Sequence, residues 1–284
     1  MAISSLCPGY IGQAEVDGVS IRCSDFSLNP SQDFTFYDHT IGLNDTVPSN
    51  NSSKGESVGD IQTQKRIGRP SPISIGGGIS FPATQGNLGV LFDNAKYGTY
   101  FDVDFQYHRG VGQDSRSFSD CRVNQYTFSI TAGDILNISA DFLAKDMSES
   151  GGVGNNIFAE KLITWDQVLV SSSGLGSYGI QGIEFSVNNN LKNIYTVGSS
   201  TGEDAFKPSD IRVGMQEVTG SISVYNIPGK SFITDSTSSS TISISAAGFN
   251  TDIEVVFKPQ DIPGTLGPVI TSIPFVGVDK AFGS

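Results

Sequence analysis

RVNQYTFSITAGDILNISADFLAK, residues 122–145, contains two runs in which apolar and polar side chains alternate. In residues 123–130 the apolar set is Tyr126, Phe128 and Ile130, against Gln125, Thr127 and Ser129. In residues 136–144 it is Ile138, Ala140 and Phe142, against Asn137, Ser139 and Asp141. Successive side chains of a strand point to opposite sides, so each run has one face for a core and one for water. Residues 180–190 repeat the pattern, with Ile183, Phe185 and Val187 opposed to Gly182, Glu184, Ser186 and Asn188. Residues 217–225 oppose Val218, Ile222 and Val224 to Glu217, Thr219, Ser221 and Ser223. The four polar faces carry short hydroxyls, amides and carboxylates, and neither Lys nor Arg. Exposed strands ordinarily use Lys freely, above all to blunt sheet edges. A face restricted in this way suits a surface to which a polyanion must not adhere.

Composition points the same way. The chain has 284 residues, a formal net charge of −12 and a charged fraction of 16 %. That length suffices for one large β domain or two smaller ones, each with a proper core. Gripping nucleic acid by its phosphates needs Lys and Arg to release counterions, so this balance argues against a nucleic-acid-binding protein. Passage of nucleic acid without a grip is compatible with it. Cys7, Cys23 and Cys121 form an odd set without a CxxC pair, which predicts reduced thiols rather than a disulfide framework. Residues 1–18 lack a basic n-region and an apolar h-region, so synthesis in the cytoplasm is expected. No run approaches eighteen apolar residues, and no membrane insertion is expected. Sequons at Asn44, Asn51 and Asn137 then carry little meaning.

Along the chain a single domain, 1–284, is expected, elaborated by long loops at about residues 44–67, 148–156, 171–179 and 198–209 and by an extended tail, 259–284. A strand is read at 14–23, a turn-rich segment at 24–33 and a short aromatic run at 34–37. Residues 67–81 read as a strand, and Pro70, Pro72 and the Gly76–Gly78 triplet predict a bend or bulge in it. Leu88, Leu91, Phe92 and Ala95 recur at helical spacing and predict one helix over 87–97. A strand at 101–107 and a hairpin from 241–246 and 252–258 complete the pattern. The strand pair in 122–145 weakly resembles the pair in 179–190 and 217–226, the second with a long insertion; two like strand pairs in one sheet account for it. Trp165 lies in an alternating run and is expected in the core.

The motifs that look chemical do not survive their context. Gly174, Gly176 and Gly179 spell GxGxxG, but a strand pattern follows where a dinucleotide site needs a helix. Gly229, Lys230 and Ser231 lack the first glycine of a phosphate loop, since Val224 stands there. Asp38 and His39 are neighbours on a strand and point apart. Asp102 and Asp104 share a face near His108, but no third ligand stands at a metal-site spacing. No enzymatic activity, cofactor or metal is expected.

Several segments together resemble the tail tube (major tail tube) proteins of long-tailed bacteriophages. GYIGQAEVDGVSIRCSDFSLNPSQDFTFYDHTIG, from Gly9, is similar to the opening of many of them, and RIGRPSPISIGGGISFPAT with LFDNAKYGTYFDVDFQY to the next section. The strongest similarity lies in ITWDQVLVSSSG, IQGIEFSVNNNLKNIYTVG and SDIRVGMQEVTGSISVY. There Trp165-Asp166, Asn188–Asn190 before Leu191, Ile211–Gly214 and Val218–Ser221 stand in the family's order. The resemblance runs from about Gly9 to Phe257.

It implies a mainly β protein with a β-sandwich or barrel-like core and one packed helix. It also implies a structural virion protein whose strands join, six subunits at a time, into a ring-wide β-barrel, the rings stacking into a conduit for genome ejection. On that reading Asp141, Glu184 and Glu217, with Ser139, Ser186, Thr219, Ser221 and Ser223, line the lumen and face double-stranded DNA without binding it. The partners expected are further copies of the chain, a tail sheath protein if the tail is contractile, as the chain's length suggests, and tail terminator and baseplate proteins. Inter-ring and inter-subunit contacts are expected from the N-terminal segment, the loop around Asn44–Ile67, the helix and the C-terminal tail. The alternative from a different class is a soluble β-sandwich module for carbohydrate binding or adhesion, which would expose clustered aromatics on a concave face.

Overall fold

The computed structural model describes residues 12–40, 64–109, 112–149, 161–173, 175, 179–197, 202–225, 239–258, 270–278 and 281–282. Cys7, the sequons at Asn44 and Asn51, Gly174, Gly176, the 229–231 turn and most of the loops at 44–67 and 148–156 lie outside them, as does much of the tail. The N-terminal strands are β1 (Gly12–Val16), β2 (Val19–Cys23), β3 (Asp25–Leu28), β4 (Ser31–Thr40) and β5 (Gln64–Pro82), followed by α1 (Val90–Tyr97). Then come β6 (Phe101–Arg109), β7 (Gly112–Thr131), β8 (Asn137–Ala144), β9 (Asp146–Ser148), β10 (Val168–Ser172) and β11 (Ile180–Asn188). The last are β12 (Lys192–Ile194), β13 (Asp210–Arg212), β14 (Glu217–Tyr225), β15 (Ser240–Ala246), β16 (Phe249–Phe257) and β17 (Ile270–Gly277). The protein is mainly β with one α-helix among the described residues.

The main sheet is antiparallel throughout, in the order β5-β8-β7-β11-β14-β17-β16-β15-β10. The two similar strand pairs, β7–β8 and β11–β14, are neighbours at its centre. The sheet curls so that its later strands cover its earlier ones. Phe128 of β7 stacks with Phe249 of β16 at 6.4 Å, and Phe92 of α1 meets Phe185, Phe249 and Phe282 edge-on. A second aromatic group, Phe101, Phe105, Phe118 and Phe142, fills the space between the main sheet and a smaller one of β2, β1, β6 and the first half of β7. Each such side chain contributes about 1.5–3 kcal/mol by leaving water, so these two groups hold the sheets together.

β7 belongs to both sheets because it pivots. Asp120 adopts φ 51, and the register to β8 shifts between Val123 and Gln125. The first half can therefore pair with β6 while the second enters the main sheet.

Several expectations are corrected by pairing that local sequence does not reveal. The strand read at 14–23 is a hairpin, β1–β2, reversed at Asp17 (φ 48) and Gly18 (φ 81), as an Asp-Gly pair favours. Most of the turn-rich 24–33 segment is strand, continuous with the aromatic run at 34–37, since β3 and β4 both pair with the long β5. The irregularity expected in this strand falls at its prolines, where register with β4 shifts between Gln32↔Ile73 and Phe34↔Pro70, whereas Gly76–Gly78 makes no bend and β5 runs in unbroken register from Ile75↔Ala144 to Pro82↔Asn137. The glycines serve close approach instead: a Cβ on Gly76 would lie 2.6 Å from the Phe142 carbonyl oxygen, and one on Gly77 2.6 Å from that of Ser27.

The helix begins at Val90 rather than 87, because residues 85–89 form turns in which the Asn87 side chain accepts the Thr84 N–H at 2.7 Å. The loop read at 171–179 starts inside β10, and that at 198–209 contains a 3-10 turn, Gly202–Phe206. Within the tail, β17 inserts between β14 and β16. Pro274 hid this strand from the sequence reading, since proline lacks a ladder donor. Its carbonyl accepts the Lys258 N–H at 2.8 Å on the side away from β14, so its missing N–H breaks no bond to β14.

Candidate functional site

β8, β7, β11 and β14 lay their polar side chains in rows across one outer face. Asp141 stands beside Gln125, Gln125 beside Asn188, and Asn188 beside Glu217. The next row is Ser139, Thr127, Ser186 and Thr219, and the third is Asn137, Ser129, Glu184 and Ser221. A last row sets Gly182 beside Ser223. All eight residues singled out from the sequence therefore share one face of one sheet, and the opposite face of the same strands is core.

The face is held together by its own polar groups. The Gln125 amide donates to Ser186 Oγ at 3.1 Å, and Thr127 Oγ1 lies 3.2 Å from the same oxygen. Asp141 lies against Gly78 of β5, where an added Cβ would come within 2.5 Å of its Oδ1. Burial there holds its carboxyl above the usual carboxylate range.

Cations are kept off these rows in a specific manner. Arg122 and Lys145 come next on β7 and just after β8, but both turn onto the Tyr100 ring, at 4.0 and 4.2 Å from its centroid. Lys145 also pairs with Asp120 at 3.6 Å. The Tyr100 hydroxyl donates to Asp210 at 2.5 Å and, as the main cause, holds that carboxyl below its ordinary range. Lys258 borders the rows, in a groove shared with Glu184, Ser186, Thr219, Ser221 and Pro274.

The sequence reading missed two extensions and one rival. Gly78 and Ser80 of β5, with Ser27 and Asp25 of β3, prolong the rows beyond Asp141 and Ser139. Ser272 and Pro274 of β17 prolong them beyond Ser223 and Ser221. The period-two spacing of Gly78 and Ser80 was the available signal. Across the core, β15 and β16 present a second face of the same chemistry, with Thr241, Ser243 and Ser245 opposite Glu254, Asp252 and Asn250. That face is interrupted by Leu169 of β10, which is 71 % exposed beside Ser245.

Trp165 is not core. It is 49 % exposed on a 3-10 turn, Trp165–Gln167, where the Thr164 hydroxyl donates to Asp166 and the Gln167 side chain accepts the Thr164 N–H. Alternation misled there because the strand begins only at Val168. Cys23 and Cys121 are buried free thiols, and burial pushes Cys23 up to about 12 and Cys121 well above its ordinary value. Asp102 accepts the Asp120 N–H and Asp104 the Ser117 hydroxyl, so both are used structurally.

The Asn188–Asn190 run is a junction. Asn189 is fully buried; its amide nitrogen donates to the carbonyls of Ala95 and Val123, both at 2.9 Å, and its oxygen accepts from Gln216 at 2.9 Å. Asn190 adopts φ 47 and donates to the Met215 carbonyl. Gly214 follows from this, since a Cβ there would lie 2.6 Å from the Asn190 carbonyl oxygen. The two motifs thus lock α1, β7, β11 and β14 together.

The family model described as phage tail tube protein matches residues 46–277. No curated protein matches the chain. The match spans the central strands, the asparagine junction, Gly214 and β17, the features that build the row-bearing face. The chain belongs to the phage tail tube family.

Proposed function

We propose that this tail structural protein assembles into hexameric rings, and that the stacked rings form a negatively charged conduit for genome ejection. Asp141, Glu184 and Glu217, with Ser139, Ser186, Thr219, Ser221 and Ser223, line the bore. The observation that carries this reading is the set of rows across β8, β7, β11 and β14, where hydroxyls, amides and carboxylates meet without a Lys or Arg. Duplex DNA carries about one charge per 1.7 Å of axis, so a wall cation repeated around a ring and along a stack would become a brake. Carboxylates instead repel the duplex toward the axis, and hydroxyls keep the wall wet. The face across the core, broken by Leu169, suits the outside of the tube, where a sheath protein packs if the tail contracts. Terminator and baseplate proteins cap the two ends, and the particle's tail is where the protein resides.

Microscopy of the purified chain tests this reading. Six-fold rings or tubes are expected, with Asp141, Glu184 and Glu217 facing a central hole. Compact monomers, or a hole lined by Asp252 and Glu254, would refute it.

A further inference from the structure

Most of the large apolar side chains exposed among the described residues fall at the two ends of the β7–β8–β11–β14 strands. At one end, Ile135 bridges Thr164, the Trp165 N–H donates to the Asp134 carbonyl, and Tyr225 pairs with Ile270. Trp165, Leu169 and Tyr225 there line a cleft of about 640 Å³, and Leu162 lies just before Thr164. At the other end stand Tyr97 and Met215, next to the asparagine junction, and Tyr195, whose hydroxyl donates to the Ile73 carbonyl. The polar rows between the two ends carry no such side chain. Apolar clusters at opposite ends of one molecule mark surfaces that are meant to be covered.

Charge distinguishes the two poles. Lys192 and Arg212 stand directly opposite each other on β12 and β13, both exposed. Like charges so placed disfavour the pairing unless an anion joins them. Among the described residues Arg212 reaches only Asp210, at 4.0 Å, and no ion pair reaches Lys192. At the far pole Asp134 and Asp166 are exposed beside Trp165, with Lys161 as the nearby cation. A contact between two unlike patches at opposite ends of a molecule is head-to-tail, and it propagates as a filament where its rotation does not close a ring.

We infer that the Trp165 pole of one copy seats on the Met215 pole of the next, with Asp134 and Asp166 against Lys192 and Arg212. This rests on the tube reading above and supplies the contact by which one ring stacks on another.

Charge exchange tests it in the full-length chain, by negative-stain microscopy and sedimentation. All substituted residues are exposed, so an unchanged thermal melt checks the fold of each variant. The K192E/R212E chain should stop at rings, with mean assembly length reduced about tenfold or more, because like charges meet at the contact. D134K/D166K should behave alike, and all four substitutions in one chain should restore tubes. K192E/R212E tubes of wild-type length, or a four-fold variant that stays as rings, would overturn the polar contact while leaving the tube reading intact. A wild-type chain that forms neither rings nor tubes would overturn both.

Discussion

Asp141, one of the residues proposed to line the bore, has its titration altered by the fold. Its raised pKa means that the folded state holds the proton more tightly than the unfolded chain does. The neutral acid therefore favours folding below the ordinary carboxylate pKa, near pH 4, and that contribution is lost as pH rises through the raised folded value. Asp141→Asn removes this term. Urea midpoints measured across that window should fall with rising pH more in the wild type than in the variant, and identical slopes would refute the assignment. The thiols give a second residue-scale outcome. In a Cys7→Ser chain, Cys23 and Cys121 should ignore a thiol reagent until the protein is denatured, since both are buried and held as neutral thiols. Rapid reaction in the native protein would contradict their placement.

Among the elements, the end of β11 is where most structure converges. Asn189 closes the last turn of α1, satisfies a β7 carbonyl and receives Gln216 from the approach to β14. Asn189→Ala removes the amide that donates to the Val123 carbonyl and leaves the Ala95 carbonyl with Gln216 alone, at 3.1 Å, and should lower stability by about 1–3 kcal/mol, read as a shifted denaturation midpoint with an unchanged slope. Gly220 offers an independent check in the middle of β14. A Cβ there would lie 2.4 Å from the Glu184 carbonyl oxygen and 2.4 Å from Phe275 Cζ. Gly220→Ala should therefore cost about 1–3 kcal/mol through forced displacement of β17's aromatic ring. A neutral result would mean that β14 and β17 pack less closely than described.

At the scale of the whole molecule, the proposed conduit requires that one outer face, and not the other, meet DNA. Both the rows of β8–β7–β11–β14 and those of β15–β16 are free of cations, so chemistry alone does not separate them. Lysine placed on each face does. Tubes of Ser186→Lys or Ser221→Lys protein should retain DNA at low salt and release it as salt rises, and virions carrying them should eject more slowly. Tubes of Ser243→Lys protein should behave as wild type. The reverse ranking would put the bore on the other face and displace Asp141, Glu184 and Glu217 from the wall.

Strand alternation is a local property, decided by side chains two residues apart, and so the four row-bearing strands and their shared polar chemistry were legible in residues 122–145, 180–190 and 217–225. The helix was legible for the same reason, one periodicity being as local as the other. What local reading lacked was the partner. Whether Gly76–Gly78 bends or admits a neighbour depends on Phe142 and Ser27, and whether residues 270–277 are tail or strand depends on β14 and β16. Trp165 faced the same limit, since its exposure follows from where Asp134 places the 3-10 turn. Charge counted along the sequence predicted a cation-poor surface, but only the curl of the sheet produced two such faces and gathered most of the exposed apolar residues at the poles between them. Side-chain chemistry and its period are written residue by residue, whereas burial, adjacency and the direction of a face arise from contacts between segments far apart in the chain.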